Sequence, residues 1–209
     1  MKIIELAEDE VLTESMLSRK GALPASVIAS AVAIVEEVRE KKDAALRAFE
    51  SKFDHVDIAD FRVPQQVIDA SLDEVGEEFL ASCKKAEAQI RDFHQREVQQ
   101  SWFTTRPDGT ILGQKVTPLD SVGIYVPGGR AQYPSTVLMN AVPAKVAGVE
   151  RIVMVTPPQA DGKLSPYTLC AAKIAGVDEI YTVGGAQAIA ALAYGTESIP
   201  QVSKVTGPG

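Results

Sequence analysis

From residue 121 to the end, short runs rich in Val and Ile alternate with Ala-rich stretches of helical periodicity, one unit about every thirty residues. That alternation leaves few folds open. It predicts strands at 121–126, 151–156, 179–183 and 202–206, and helices at 135–147, 165–175 and 186–194. Strand, helix, strand in strict succession gives a parallel sheet with helical crossovers, because parallel neighbours need a long connection. The repeat is architectural, with no self-similarity in sequence.

Upstream of Pro118 the composition changes to charged and helical. Pro24 opens a segment in which Val27, Ala31, Ile34, Val35, Val38, Ala45, Leu46, Phe49 and Phe53 recur at helical spacing between Glu, Lys and Arg. This predicts a long amphipathic helix with a break near Lys42. A second is predicted over 73–99, with Phe79, Leu80, Cys83, Ala86, Ile90 and Phe93 on one face. Arg106-Pro107-Asp108-Gly109 lies between the β-prone runs Trp102-Phe103-Thr104 and Thr110-Ile111-Leu112, so a hairpin is expected there, added antiparallel at a sheet edge.

Charge and cysteine usage exclude several functions. Lys and Arg total 21 against 28 Asp and Glu, a net charge of −7, without the concentrated positive patch that nucleic-acid binding requires. No run reaches the roughly 20 apolar residues of a membrane span. The opening residues lack the basic, apolar and small-residue pattern of a signal peptide. Cys83 and Cys170 are far apart in apolar helical contexts, which predicts core thiols and a reducing compartment.

In an open parallel sheet, ligands bind beyond the carboxyl ends of the strands. Three of the four loops there are glycine-rich: Pro127-Gly128-Gly129-Arg130-Ala131-Gln132-Tyr133-Pro134, Gly184-Gly185-Ala186-Gln187 and Gly207-Pro208-Gly209. Ser135 or Thr136 can cap the helix after the first. Glycine permits close backbone approach, and a helix N-terminus offers N–H groups to phosphate or carboxylate, so a dinucleotide or other anion fits. The same glycines also serve tight strand-to-helix turns, and the spacing is not Gly-x-Gly-x-x-Gly. Tyr125, at a strand end, can stack on a base or simply pack. Gln187, at a helix start, can face a ligand or fix a buried loop.

Catalytic candidates are lacking. His55 and His94 read as surface residues without a second histidine at metal-ligand spacing, and no nucleophile elbow or phosphate loop occurs. Glu36, Glu37, Glu40, Glu77 and Glu78 fall on solvated helix faces.

Three long runs carry a family resemblance: Val122-Gly123-Ile124-Tyr125-Val126-Pro127-Gly128-Gly129, continued by Tyr133-Pro134-Ser135-Thr136-Val137-Leu138-Met139-Asn140-Ala141-Val142-Pro143-Ala144; Val183-Gly184-Gly185-Ala186-Gln187 with its sequel to Pro200; and Val205-Thr206-Gly207-Pro208-Gly209. Together with Asp43-Ala44-Ala45-Leu46 and Lys52-Phe53-Asp54, they resemble the N-terminal half of histidinol dehydrogenase across essentially the whole chain. One departure is Lys42, where the family usually has glycine.

The resemblance implies a Rossmann-like α/β fold, aldehyde-dehydrogenase-like in this family, preceded by a long-helix region with a hairpin. It divides the chain into an N-terminal arm (1–20), a helical region with hairpin forming an incomplete first domain (21–119) and an NAD-side domain (120–209). It implies oxidation of L-histidinol to L-histidine with two NAD molecules and zinc, in a cytoplasmic homodimer. Tyr125 and Gln187 match NAD-contacting positions, and Pro127 and Pro208 lie in loops bordering the cofactor. The Glu-His pair that moves protons and the Gln, His, Asp and His zinc ligands match positions later than this sequence, so no catalytic or metal residue is expected here and the chain alone is expected to be inactive. The alternatives are a non-catalytic nucleotide-binding or subunit-pairing module, or a structural relic.

Overall fold

The computed structural model describes residues 24–128 and 131–208, with residues 6, 7, 9, 11 and 13. Most of the expected arm, the loop residues Gly129 and Arg130, and Gly209 lie outside the described residues. Two compact units are separable, Met1–Ala33 and Ile34–Gly209.

Helix α1 covers Ala25–Lys41 and α2 covers Asp43–Phe49, so the expected break falls at Lys42. Lys42 has φ 50° and ψ −126°, a region that suits glycine and strains any residue with a Cβ. The departure from the family's glycine thus sits at a strained junction. A π-turn, Glu50–Asp54, follows α2 and ends at His55 in the left-handed conformation. The wider turn rotates the face: Val38, Ala45, Leu46 and Phe49 are buried, whereas Phe53, expected inside, is 47% exposed and stacks on Phe49.

The second long helix is shorter than expected. Helix α3, Gln65–Glu74, precedes α4, Glu77–Gln95, and Gly76 separates them. On α4, Cys83 is buried and Phe79, Ala86 and Ile90 pack against the core, but Phe93 is exposed.

The hairpin forms, with β1 (Trp102–Thr105) antiparallel to β2 (Ile111–Gln114) and Gly109 at φ 86° in the turn. It does not extend the main sheet. It is a separate two-stranded sheet whose residues are all exposed. The antiparallel addition at the sheet edge comes instead from 61–63: Arg62 bridges Tyr181, Val63 N–H donates to Ile180, and Thr182 N–H donates to Phe61. Fully buried Phe61 anchors that segment, which an exposed hairpin could not do.

The remaining elements follow the expected order: β3 Ser121–Tyr125, α5 Pro134–Val146, β4 Arg151–Thr156, α6 Pro166–Ala175, β5 Glu179–Thr182, α7 Gly185–Tyr194 and β6 Lys204–Thr206. All neighbours pair parallel, in the order β5-β4-β3-β6. The chain is therefore an α/β protein built on a four-stranded parallel sheet. Period-two alternation divides the strands between two cores. Val122, Ile124, Ile152 and Met154 pack with α5, α6 and the apolar faces of α3 and α4, while Val153, Val155 and Tyr181 pack with α7, α2 and the end of α1.

Buried Asp43, at the start of α2, ties it to the loop after α7. Its carboxylate accepts the Ser198 N–H and hydroxyl, and Glu197 accepts the Asp43 N–H.

Candidate functional site

The loops after the four strands meet along one edge of the sheet, and close contacts fix their positions. Pro157, following β4, is wedged between its neighbours: a Cβ at Gly184 would lie 2.5 Å from its Cβ, and one at Gly128 would lie 3.1 Å from its Cγ. These two glycines therefore serve loop packing. At Gly207, φ is 142° and a Cβ would stand 2.5 Å from the Tyr125 carbonyl oxygen, so the turn after β6 is seated on the end of β3.

Tyr125 and Gln187 come together at the first turn of α7. The half-buried Tyr125 hydroxyl lies beside the Gly185 N–H; burial raises its pKa, against the pull of that N–H. Gln187 is 2% exposed, and its Nε2 donates to Glu50 Oε1 over 3.0 Å. Gly185 has φ 60°, and a Cβ there would lie 2.5 Å from Gln187 Oε1, so the Gln187 carboxamide packs where a side chain at 185 would stand. Half-buried Pro127 lies two residues beyond Tyr125, and exposed Pro208 follows Gly207. All four predicted residues thus share the carboxyl edge, and Tyr125 and Gln187 meet the same helical turn.

At the start of α7 the Gly184 N–H is already taken, donating to Glu50 Oε1 (3.2 Å). One sequence expectation is corrected. Neither Ser135 nor Thr136 caps α5, which begins at Pro134 after Tyr133 with no side-chain cap. Proline at the first helical position needs no N–H partner, and it places both hydroxyls inside the first turn.

The residue that sequence reasoning missed is Glu50. It is fully buried, and Oε2 is the buried side-chain polar atom without a hydrogen-bond partner among the described residues. Burial pushes its carboxyl up to about 7, opposed by the donors from Gln187 and Gly184 and assisted by the charge of Asp54. Burial raises Asp54 too, while His55 beside it acts in the opposite sense. The Asp54 carboxyl stands close enough to Glu50 for its charge to disfavour ionisation there. A signal was available: Glu50 lies four residues beyond Leu46 and next to Phe49, on the apolar face of the helix.

The other titratable candidates lie elsewhere. Glu36, Glu40, Glu77 and Glu78 are exposed and Glu37 is partly so. His55 is exposed, and His94 pairs with Glu97 on α4. Cys83 and Cys170 are buried free thiols, and burial pushes Cys83 up to about 11. No group of three His, Cys, Asp or Glu side chains among the described residues could hold a metal ion, and no described helix is long and apolar enough to cross a membrane. A groove of about 740 Å³ beside β6, lined by Val122, Asn140, Pro143, Val149, Lys204 and Thr206 among others, contains none of the four predicted residues.

Comparison with known proteins gives a consistent result. The family model for histidinol dehydrogenase matches residues 17–209. Histidinol dehydrogenase of Methanosarcina mazei is 47% identical over 209 residues, covering 100% of this chain and 48% of that protein. That of Halalkalibacterium halodurans is 55% identical over 176 residues, 84% of this chain and 42% of the relative. The crystal structure of histidinol dehydrogenase from Elizabethkingia anophelis superposes with a TM-score of 0.86 at 32% identity, covering 93% of this chain and 45% of that one. The chain spans about half the length of the curated relatives it matches. By the family match and by the extent of these identities, the chain belongs to the histidinol dehydrogenase family.

Proposed function

We propose that this chain supplies the nicotinamide-nucleotide side of a histidinol dehydrogenase, an oxidoreductase of histidine biosynthesis that converts L-histidinol to L-histidine with two NAD molecules. The observation that carries this reading is the meeting of Tyr125 and Gln187 at one turn of α7, on the carboxyl edge of a parallel sheet. Ligands of open α/β sheets bind at that edge. The strand order β5-β4-β3-β6 supports a Rossmann-like reading of 120–209 as the NAD-side domain, with 21–119 belonging to the first domain and 1–20 to an arm.

The residues present fit the nucleotide. Tyr125 offers a half-buried ring beside the start of α7. Pro127 and Pro208 border the same edge. When bound, NAD supplies the hydride acceptor. The task of this chain is to hold and orient the nucleotide, with Gln187 fixed by its hydrogen bond to Glu50. The described residues do not fit zinc, for want of a ligand set, so no step is assigned to the metal here. The proton-transfer pair and zinc ligands belong to the family's other half, as do a homodimeric assembly and a cytoplasmic location to the family as a whole.

The test is zinc-supplemented NAD reduction with L-histidinol, run on the purified chain and on a mixture with the complementary half of a relative. The expected result is silence from the chain, activity in the mixture, and NAD+ binding lost on replacing Tyr125 and Gln187 with alanine. Activity from the chain alone would overturn the assignment of the chemistry to the other half. A folded chain whose mixture stays inactive while it still binds nucleotide would favour a non-catalytic binding module.

A further inference from the structure

Glu50 is a charged side chain in a core, tied by hydrogen bonds to one of the residues on which the nucleotide reading rests. A neutral acceptor oxygen of the same shape would meet the Gly184 N–H and Gln187 Nε2 without burying a charge. Its buried neighbours Ala45, Leu46, Phe49 and Phe61 are apolar, and the buried carboxylate at the start of α2, Asp43, is fully engaged with Ser198. A buried carboxyl without full compensation costs stability, so its retention calls for another role. Its Oε1 accepts two donors that define the α7 entrance, the Gly184 N–H at 3.2 Å and Gln187 Nε2 at 3.0 Å, while Oε2 has no partner. With Nε2 turned to Glu50, the Gln187 carbonyl oxygen lies over Gly185, 2.5 Å from where a Cβ there would stand.

We propose that Glu50 is a positioning residue for the nucleotide site, orienting the Gln187 carboxamide through their buried hydrogen bond. This rests on the reading of Gln187 as a nucleotide contact. The groups facing Glu50 are Asp54 from its own turn, Tyr125 from β3, and Gly184 and Gln187 at the start of α7; His55 acts on Asp54. Tyr125 stays neutral near pH 7, since burial raises its hydroxyl, which leaves Glu50 as the titrating group. Ionised, Glu50 is a charged acceptor and grips the amide strongly; protonated, it grips about half as strongly. The Gln187 orientation therefore loosens as pH falls through neutrality, and a rotated amide would turn a donor to the ligand where a carbonyl had been.

The test is calorimetric titration of the intact protein with NAD+ at about pH 6 and pH 8, for the natural sequence, Glu50→Gln and Gln187→Ala. Glu50→Gln keeps an acceptor oxygen of the same shape and removes the titration. The natural protein should bind NAD+ about fivefold more tightly at the higher pH, the difference between a charged and a neutral acceptor shared over this contact. Glu50→Gln should be flat with pH and close to the low-pH value of the natural protein; Gln187→Ala should be weaker and flat. A natural protein without pH dependence, or a Glu50→Gln variant that keeps it, overturns the role of Glu50 while leaving the nucleotide site standing. A natural protein that binds no NAD+ at either pH overturns both readings.

Discussion

Replacing Glu50 with glutamine should change how stability depends on pH, and the size of the change follows from its burial. In the folded protein the carboxyl is pushed from 4.5 to about 7. The folded state then holds the proton more tightly than the unfolded chain, so stability is greatest below the unfolded value and is lost as pH rises through 7. For one group with these two values, linkage gives a loss of roughly 0.8 kcal/mol by pH 5 and about 3.3 kcal/mol by pH 8, hence about 2.5 kcal/mol between them. Glutamine has no such dependence and keeps the acceptor for Gln187 and Gly184. Urea unfolding of the natural protein and Glu50→Gln, at half-unit intervals between pH 5 and 8, reads this directly. The variant should gain about 2.5 kcal/mol relative to the natural protein across the range, most of it below pH 7, where the two states differ most in bound protons. A difference constant to within about 0.5 kcal/mol would refute the claim that a buried carboxyl at 50 titrates near neutrality.

Three further outcomes follow from backbone geometry. Lys42→Gly should stabilise the protein by about 1 kcal/mol, since relief of strain at φ 50° outweighs the entropy of glycine and the loss of the 3.3 Å contact from Lys42 Nζ to the Gly195 carbonyl; thermal unfolding checks it. Gly185→Ala should cost about 1–2 kcal/mol for the left-handed conformation and, by displacing Gln187 Oε1, weaken NAD+ binding about tenfold; unfolding and titration on the same samples separate the two effects. Gly207→Ala should cost about 2–3 kcal/mol, because its Cβ would meet the rigid Tyr125 carbonyl and loosen the β3–β6 junction; hydrogen exchange at Val205 and Thr206 should rise with it.

Sequence alone determined the parallel α/β half. There the strands are short runs between helices of plain period, so local pattern and tertiary demand agree, and every predicted element from 121 onward is present with ends within two residues or so. It also determined the hairpin, through a turn whose residues have one good conformation, and the break at Lys42. Tertiary structure decided the rest. Helix α3 has too few apolar residues to announce itself, with only Ile68 and Ser71 buried. The sheet edge went to 61–63 because Phe61 reaches the core, a contact no local pattern encodes. Tyr125 and Gln187 were found by resemblance, but their meeting at Gly185 depends on two strands more than fifty residues apart lying in one sheet. Glu50 was hidden most completely. Helical periodicity makes its position visible, but a carboxyl on an apolar face becomes meaningful only when a π-turn and a distant helix start enclose it, since burial and hydrogen bonds across 137 residues set its chemistry.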